Sequence, residues 1–455
     1  MNIENENSQK QAKVVNNGGS KTQWMNNSVT LKLIIITVLM LLLLIPASMI
    51  KSIIREREQL NNDAISEVSN KWAQSQEVNG PLLSIPLTYE RFENKKTVRV
   101  RKYLHILPEN LNIDGNIDPK KLKRGIYEVV VYKSDIQFSG DFNLDQKIDT
   151  TNLKSIDFEE VFLTVGISDL RGIKNKVAVK WNNKEIPVEP GTKINSIIKT
   201  GITANLPNNF KMGDKINFEF KMDLNGSQNL SFVPLGSTTM VNIASTWDSP
   251  SFNGKFLPDN RDVSETGFTA DWKVLELNRN FPKYWLSTST PPNLRGEAFG
   301  LDLLLPLDDY QKNMRSAKYA AMTICLTFLI FFLVEISTKR KIHPFQYTLV
   351  GLALCLFYVL LVSITEHTNF NIAFGISTVG IVSMISLYSI SVFQNKKMSL
   401  LLVAVLTAIY SFLFVTLQMA DYALLLGSVG LIIILGATMY FTRNINWYKL
   451  NFETE

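Results

Sequence analysis

Two carboxylates and a histidine stand at the ends of apolar stretches in this chain: Glu335, Glu366 and His367. A charge in lipid costs several kcal/mol and normally faces a bundle interior, so such groups are candidates for proton relay or cation binding. Each also has a plainer reading. Glu335 lies four residues before Lys339, the spacing of an interfacial ion pair on one helix face. Glu366 and His367 close their stretch and can simply be solvated there. Asp421 lies in the tight turn Met419-Ala420-Asp421 and reads as the cap of the last apolar stretch. His343 lies in the basic loop Lys339-Arg340-Lys341-Ile342-His343-Pro344 and completes the set of candidate polar residues.

Catalytic patterns do not assemble around them. Walker, HExxH and GxSxG signatures are missing, and histidine occurs three times. Ser196-Ile197-Ile198-Lys199 has serine–lysine spacing, but no SDN or KTG partner follows, so it reads as chance. Asn112-x-Asp114-x-Asn116-x-Asp118 resembles the start of a calcium loop. Its sixth position is Ile117 and its twelfth Lys123, where Gly and a bidentate Glu are needed, so an Asn/Asp turn or the polar face of a strand fits better. Asp141-x-Asn143-x-Asp145 fails in the same way. The two cysteines, Cys325 and Cys355, lie inside apolar stretches as small fillers. They supply no cysteine zinc site, and the middle of the chain must fold without a disulfide. No cofactor or metal is expected.

The elements that position these residues follow from the hydropathy pattern. Apolar blocks of roughly 18–24 residues match a hydrocarbon core of about 30 Å. They predict one span near the N-terminus, Leu33–Ile50, and five near the C-terminus: Ala317–Thr338, Tyr347–Ile364, Ile372–Phe393, Ser399–Gln418 and Tyr422–Phe441. The first reads as an uncleaved signal anchor, being longer than a signal peptide core and preceded by about 30 residues. The loops after the second and fourth spans carry Lys339, Arg340, Lys341, Lys396 and Lys397. The alternate loops, Glu366–Phe370 and Met419–Asp421, carry neither Lys nor Arg. Basic loops stay cytoplasmic, which predicts both termini inside and the middle region outside. The net charge of +6 then reflects membrane flanks, and no nucleic-acid partner is expected; membrane lipid is.

The expected organisation is a disordered cytoplasmic tail (1–30), a first membrane helix (31–50), an extracytoplasmic β-rich domain with helical stalks (51–316), five membrane helices (317–442) and a cytoplasmic tail (443–455). The fold class is an α+β membrane protein whose outer domain is sandwich-like. Leu60, Ala64, Val68 and Trp72 recur at helical spacing, so the first helix should continue past the membrane as a stalk. Asp308 and Gln311 form a candidate capping box for a second stalk running through Tyr319 into the second span, and the two stalks are expected to pack together. Between them, Thr97–Leu107, Tyr127–Tyr132, Val161–Ile167, Val177–Trp181 and Ile216–Met222 read as strands. Asp114-Gly115, Glu189-Pro190-Gly191, Asn225-Gly226 and Asn253-Gly254 read as turns.

Longer strings carry a resemblance. His343-Pro344-Phe345-Gln346-Tyr347-Thr348-Leu349-Val350-Gly351, Thr442-Arg443-Asn444-Ile445-Asn446-Trp447-Tyr448, Trp247-Asp248-Ser249-Pro250-Ser251-Phe252-Asn253-Gly254 and Ser168-Asp169-Leu170-Arg171-Gly172-Ile173 are similar to stretches of the CreD family of bacterial inner-membrane proteins. The likeness runs from about Leu33 to Tyr448, and the hydrophilic N-terminal tail departs from it. It implies a multi-pass inner-membrane protein with a periplasmic domain that contributes to envelope integrity. It further implies a link to an envelope-stress regulon, colicin tolerance and β-lactam response, but supplies no catalytic residues. Three readings stay open. The first is a non-enzymatic envelope protein whose outer domain binds an envelope component or protein partner. The second is a small transporter or proton-coupled channel using Glu335, Glu366 and His367. The third is a membrane-bound enzyme acting on lipid or peptidoglycan.

Overall fold

The computed structural model describes residues 29–93, 96–208, 210–303, 308–338, 341–419 and 422–443. The chain divides into a β unit, Gln59–Leu307, and a helical unit made of Met1–Glu58 and Asp308–Glu455. The expected N-terminal and C-terminal tails lie outside the described residues, apart from the first residues at their inner ends.

The β unit contains, among the described residues, β1 (Gln76–Glu93), β2 (Lys96–Ile106), β3 (Asn110–Arg124), β4 (Tyr127–Asn143), β5 (Leu153–Ile156), β6 (Phe162–Ile167), β7 (Ala178–Trp181), β8 (Lys184–Pro190) and β9 (Gly201–Asn205). It continues with β10 (Lys215–Ser227), β11 (Asn229–Phe232), β12 (Thr238–Ser245), β13 (Pro250–Gly254), β14 (Asn260–Ser264), β15 (Gly267–Leu275), β16 (Tyr284–Leu286) and β17 (Phe299–Leu303). One sheet runs β7-β10-β4-β3-β12-β15-β14, antiparallel except for the β12–β3 pair. The other is built on the long β1, which pairs β11 and β2 along one side and β6 and β5 along the other. β17 and β13 extend it beyond β11, and β9 beyond β6. β8 joins the two, pairing β7 with its first residues and β9 with its last.

Period-two patterning explains the layering. In β10, Ile216, Phe218, Phe220, Met222 and Leu224 are buried, while Asn217, Lys221 and their neighbours on the other face meet water. Burial of each such side chain stabilises by roughly 1.5–3 kcal/mol. Rings from both sheets meet in the core: Trp272 of β15 lies 5.7 Å from Phe252 of β13 and 5.7 Å from Phe299 of β17. This is the sandwich the strand pattern predicts.

Three predicted turns are corrected. Asp114-Gly115 stays within β3, Asn225-Gly226 within β10, and Asn253-Gly254 forms the paired end of β13. Gly226 is needed for close approach: a Cβ there would stand 2.2 Å from the Tyr132 hydroxyl. The calcium-like run is the polar face of β3, with Leu111, Ile113 and Ile117 buried on the other side.

In the helical unit, α1 (Val29–Trp72) is a single helix despite Pro46, and it passes into the β unit after Glu58. Then come α2 (Asp308–Lys318), α3 (Ala320–Thr338), α4 (Pro344–Thr365), α5 (Phe370–Phe393), α6 (Lys396–Gln418) and α7 (Ala423–Thr442). α1 and α3 to α6 are each long and apolar enough to cross a membrane, and α7 holds the apolar run Leu425–Tyr440. The expected continuous second stalk is broken: a turn at Tyr319 separates α2 from α3. The Asp308 capping side chain lies outside the described residues. The bundle core is aromatic, with Phe357 4.5 Å from Tyr410 and Phe331 5.0 Å from Phe393.

The C-terminal end of α1, itself part of the β unit, is held there by named contacts. Arg124 donates from Nε and Nη2 to the Glu67 carboxylate, each at 2.9 Å, and the Trp72 indole donates to the Tyr132 carbonyl at 3.3 Å. Asp169 accepts from the Gln74 amide at 2.9 Å. The apolar stripe is only partly used: Ala64 is buried, Val68 and Trp72 are half-buried, and Leu60 is exposed.

Candidate functional site

Glu335 lies on the last turns of α3, and its side chain is wholly buried. Its expected partner Lys339 lies outside the described residues. The chain after α3 folds back so that the Ile342 amide donates to Glu335 Oε1 at 2.8 Å. Tyr347, on the first turn of α4, donates its hydroxyl to Oε2 at 2.9 Å. Lys32, at the start of α1, completes the cluster with a direct ion pair to Oε1. A buried carboxylate is tolerable only when counter-charge and donors satisfy it, and here an ammonium, an amide and a phenol do so.

His343 belongs to the same turn. Its Nδ1 accepts from the Phe345 amide at 3.2 Å, while its own amide donates to Gln346 Oε1 at 3.0 Å. The ring therefore caps α4, with Pro344 at the first helical position. Glu335 and His343 together hold one interhelical turn, by different chemistry.

The second candidate pair is split by the structure. Glu366 follows the last turn of α4 and is only 12% exposed, with Arg57 Nε of α1 at 3.2 Å from Oε1. This is charge-pairing distance without hydrogen-bond alignment. His367 is exposed and makes its turn contact through the backbone, its amide donating to the Ile364 carbonyl at 3.0 Å. Asp421 lies outside the described residues. The four described candidates therefore do not converge on one cavity: Glu335 and His343 share the turn before α4, and Glu366 and His367 lie at its other end. Among the described residues, no group of three or more His, Cys, Asp or Glu is placed to hold a metal ion.

Geometry instead relates the two acidic residues through α1. Lys32 and Arg57 are about 37 Å apart along a helix rising 1.5 Å per residue, a little more than a hydrocarbon core of about 30 Å. α1 thus carries a cation at each end of its span, and each meets a buried or nearly buried carboxylate of the bundle. Between them α1 lies against α4. The Leu43 carbonyl is 4.0 Å from Cys355 Sγ, and a Cβ on Gly351 would fall 2.1 Å from Leu43 Cδ1. Sequence reading missed Lys32, Arg57 and Tyr347. The available signal was a basic residue at each end of the first apolar block, at the spacing of one membrane thickness.

Helices long and apolar enough to cross a membrane, together with a large two-sheet β unit, define an α+β membrane protein class. The family model described as Inner membrane protein CreD matches residues 28–448. A curated relative, Inner membrane protein CreD of Escherichia coli (strain K12), is 35% identical over 412 residues, covering 90% of this chain and 91% of the relative. The chain belongs to the CreD family.

Proposed function

We propose that this protein contributes to cell-envelope integrity and the response to envelope stress as a non-enzymatic membrane protein. In this reading its β unit is periplasmic and both termini are cytoplasmic. The observation that carries it is the pairing of Glu335 with Lys32 and of Glu366 with Arg57. Acidic groups engaged in holding α1 to the bundle serve assembly, which leaves the β unit as the part that meets an envelope component. The orientation rests on Lys339, Arg340 and Lys341 after the second apolar span and Lys396 and Lys397 after the fourth, with neither Lys nor Arg between the alternate spans. A deletion strain tests the role. Increased sensitivity to β-lactams, colicin or detergent, restored by the intact gene, is the expected outcome, and unchanged sensitivity and morphology would remove it. Transport through Glu335, Glu366 and His367 predicts proteoliposome flux that falls in Glu335→Gln and Glu366→Gln; the assembly reading predicts none.

One observation favours an enzymatic second reading. A cleft of about 640 Å³ in the β unit is lined by Asp118, Asp135 and Asp223 together with Trp72 and Lys133, and Asp135 and Asp223 are direct cross-strand partners. Paired carboxylates are the raw material of acid–base hydrolysis. Each already has a polar partner, however: Lys120 3.5 Å from Asp118, Lys221 2.6 Å from Asp135, and Asn175 on Asp223. Full complementation of the deletion strain by Asp135→Asn/Asp223→Asn would dispose of this reading.

A further inference from the structure

The cleft of about 640 Å³ in the β unit has a floor that follows from strand register. Residues directly opposite one another on paired strands share a face of the sheet, and so do residues two apart on one strand. Asp223 of β10 stands opposite Asp135 of β4, and Asp135 opposite Asn116 of β3. Two residues along, Asn225 stands opposite Lys133, and Lys133 opposite Asp118. The floor is therefore two polar rows about 7 Å apart on strands about 4.8 Å apart. One row is centred on a carboxylate pair and the other on an ammonium. Lys133 and Asp135 are exposed while Ser134 and Ile136 are buried, so this face is turned away from the core. Trp72, half-buried at the end of α1, also lines the cleft, its ring fixed by the indole bond to the Tyr132 carbonyl.

Asn225 is the unusual member of this floor. It lines the cleft and is 5% exposed, yet its carboxamide has no hydrogen-bond partner among the described residues. Buried polar groups are normally satisfied by something in the space they face. The carboxamide is not sealed in, unlike the Ser227 hydroxyl two residues on. Its backbone is held in place, because Gln76 Nε2 donates to the Asn225 carbonyl at 2.9 Å. The ammonium of Lys133 has no partner among the described residues either. A cation and an unbonded carboxamide thus stand side by side, one row from a carboxylate pair.

An amide donor beside an ammonium suits a carboxylate, and a pair of carboxylates suits an ammonium. A simple anion or a simple cation would meet its own sign one row away. We propose that this cleft binds a small zwitterion, an amino acid or short peptide with free ends, its carboxylate on Lys133 and Asn225 and its ammonium on Asp135 and Asp223. Trp72 then covers the carbon skeleton and the ammonium. The Lys120–Asp118 and Lys221–Asp135 pairs are exposed, hence weak, and leave carboxylate oxygens free to accept. The volume falls within the roughly 300–1,000 Å³ of small-molecule sites. The proposal rests on the reading of the β unit as the part that meets an envelope component, and it requires binding without turnover.

The test uses the full-length chain in lipid nanodiscs and saturation-transfer NMR, with alanyl-alanine in its L,L and D,D forms as probes. N-acetylated and C-amidated alanyl-alanine are the single-charge comparisons, and empty nanodiscs the blank. Saturation transfer to at least one free dipeptide is expected, with affinity at least tenfold lower for each blocked form. Lys133→Gln, at an exposed position, should weaken binding at least tenfold with unchanged circular dichroism, and Asp135→Asn/Asp223→Asn should do the same. Absence of transfer to either free dipeptide overturns the proposal. Equal binding of a blocked form, or binding that survives Lys133→Gln, overturns it as well. The readout needs no phenotype: dipeptide binding with an unaffected deletion strain removes the envelope role and keeps the site, and the converse result removes the site alone.

Discussion

Removing one partner of a buried ion pair leaves the other charge in a medium that cannot solvate it, and that asymmetry makes Glu335 informative. Glu335→Ala is expected to destabilise the purified protein by about 3 kcal/mol, read as a lowered unfolding midpoint in micelles. The exchange Lys32→Glu/Glu335→Lys should recover part of the loss, because the pair is kept while the Tyr347 and Ile342 donors are misplaced. In the β unit, the Arg171 side chain, with the Gln74 and Arg171 amides, holds the Asp169 carboxyl down to about 2. A depressed carboxyl contributes stability above the unfolded value near 3.9 and loses it as pH falls through about 2. Between those values the native protein should therefore lose more stability than Asp169→Asn, measured by denaturant unfolding at each pH. Burial lowers His105 to about 4, with its Nδ1 2.9 Å from Ser84 Oγ. Protonation of the unfolded chain then erodes stability from about pH 6.5 downward, with the loss complete as pH passes about 4. His105→Gln should flatten that part of the profile.

Elements were legible where one period ran uninterrupted. β10 alternates cleanly, and the strand reading of Ile216–Met222 falls inside it. The apolar blocks in the C-terminal part lie close to α3 to α7, because length and apolarity are properties of the local chain. Dipeptides misled where tertiary contacts overrode turn chemistry: the glycine of Asn225-Gly226 serves the approach of Tyr132, and no local pattern announces a neighbour contributed by another strand. Gly351 has the same character at the α1–α4 contact. Gly351→Leu is expected to push α1 off α4, broadening spin-label distances between Leu39 and Leu354 and lowering the thermal midpoint, whereas Gly375→Leu, with open space around it, should change little.

For the whole molecule, loop charge makes a prediction that reporters can check. Alkaline phosphatase fused within the β unit should be active, and green fluorescent protein at the C-terminus should fluoresce; the reverse pattern would invert the orientation. The site candidates show the limits of one-dimensional reading at this scale. Glu335, Glu366 and His367 share a character in sequence. In space, one is an internal counter-ion, one pairs with α1 near the opposite end of α4, and one is solvated.

Local chain properties legible in the sequence alone were the apolar stretches at the two ends, the β-rich middle and the family likeness. Hydropathy, period and long matching strings all reside in contiguous residues. Only the tertiary structure decided what the charges do. Lys32 and Glu335 are three hundred residues apart, and whether a buried carboxylate transports, catalyses or binds two helices together depends on which donors the fold brings to it.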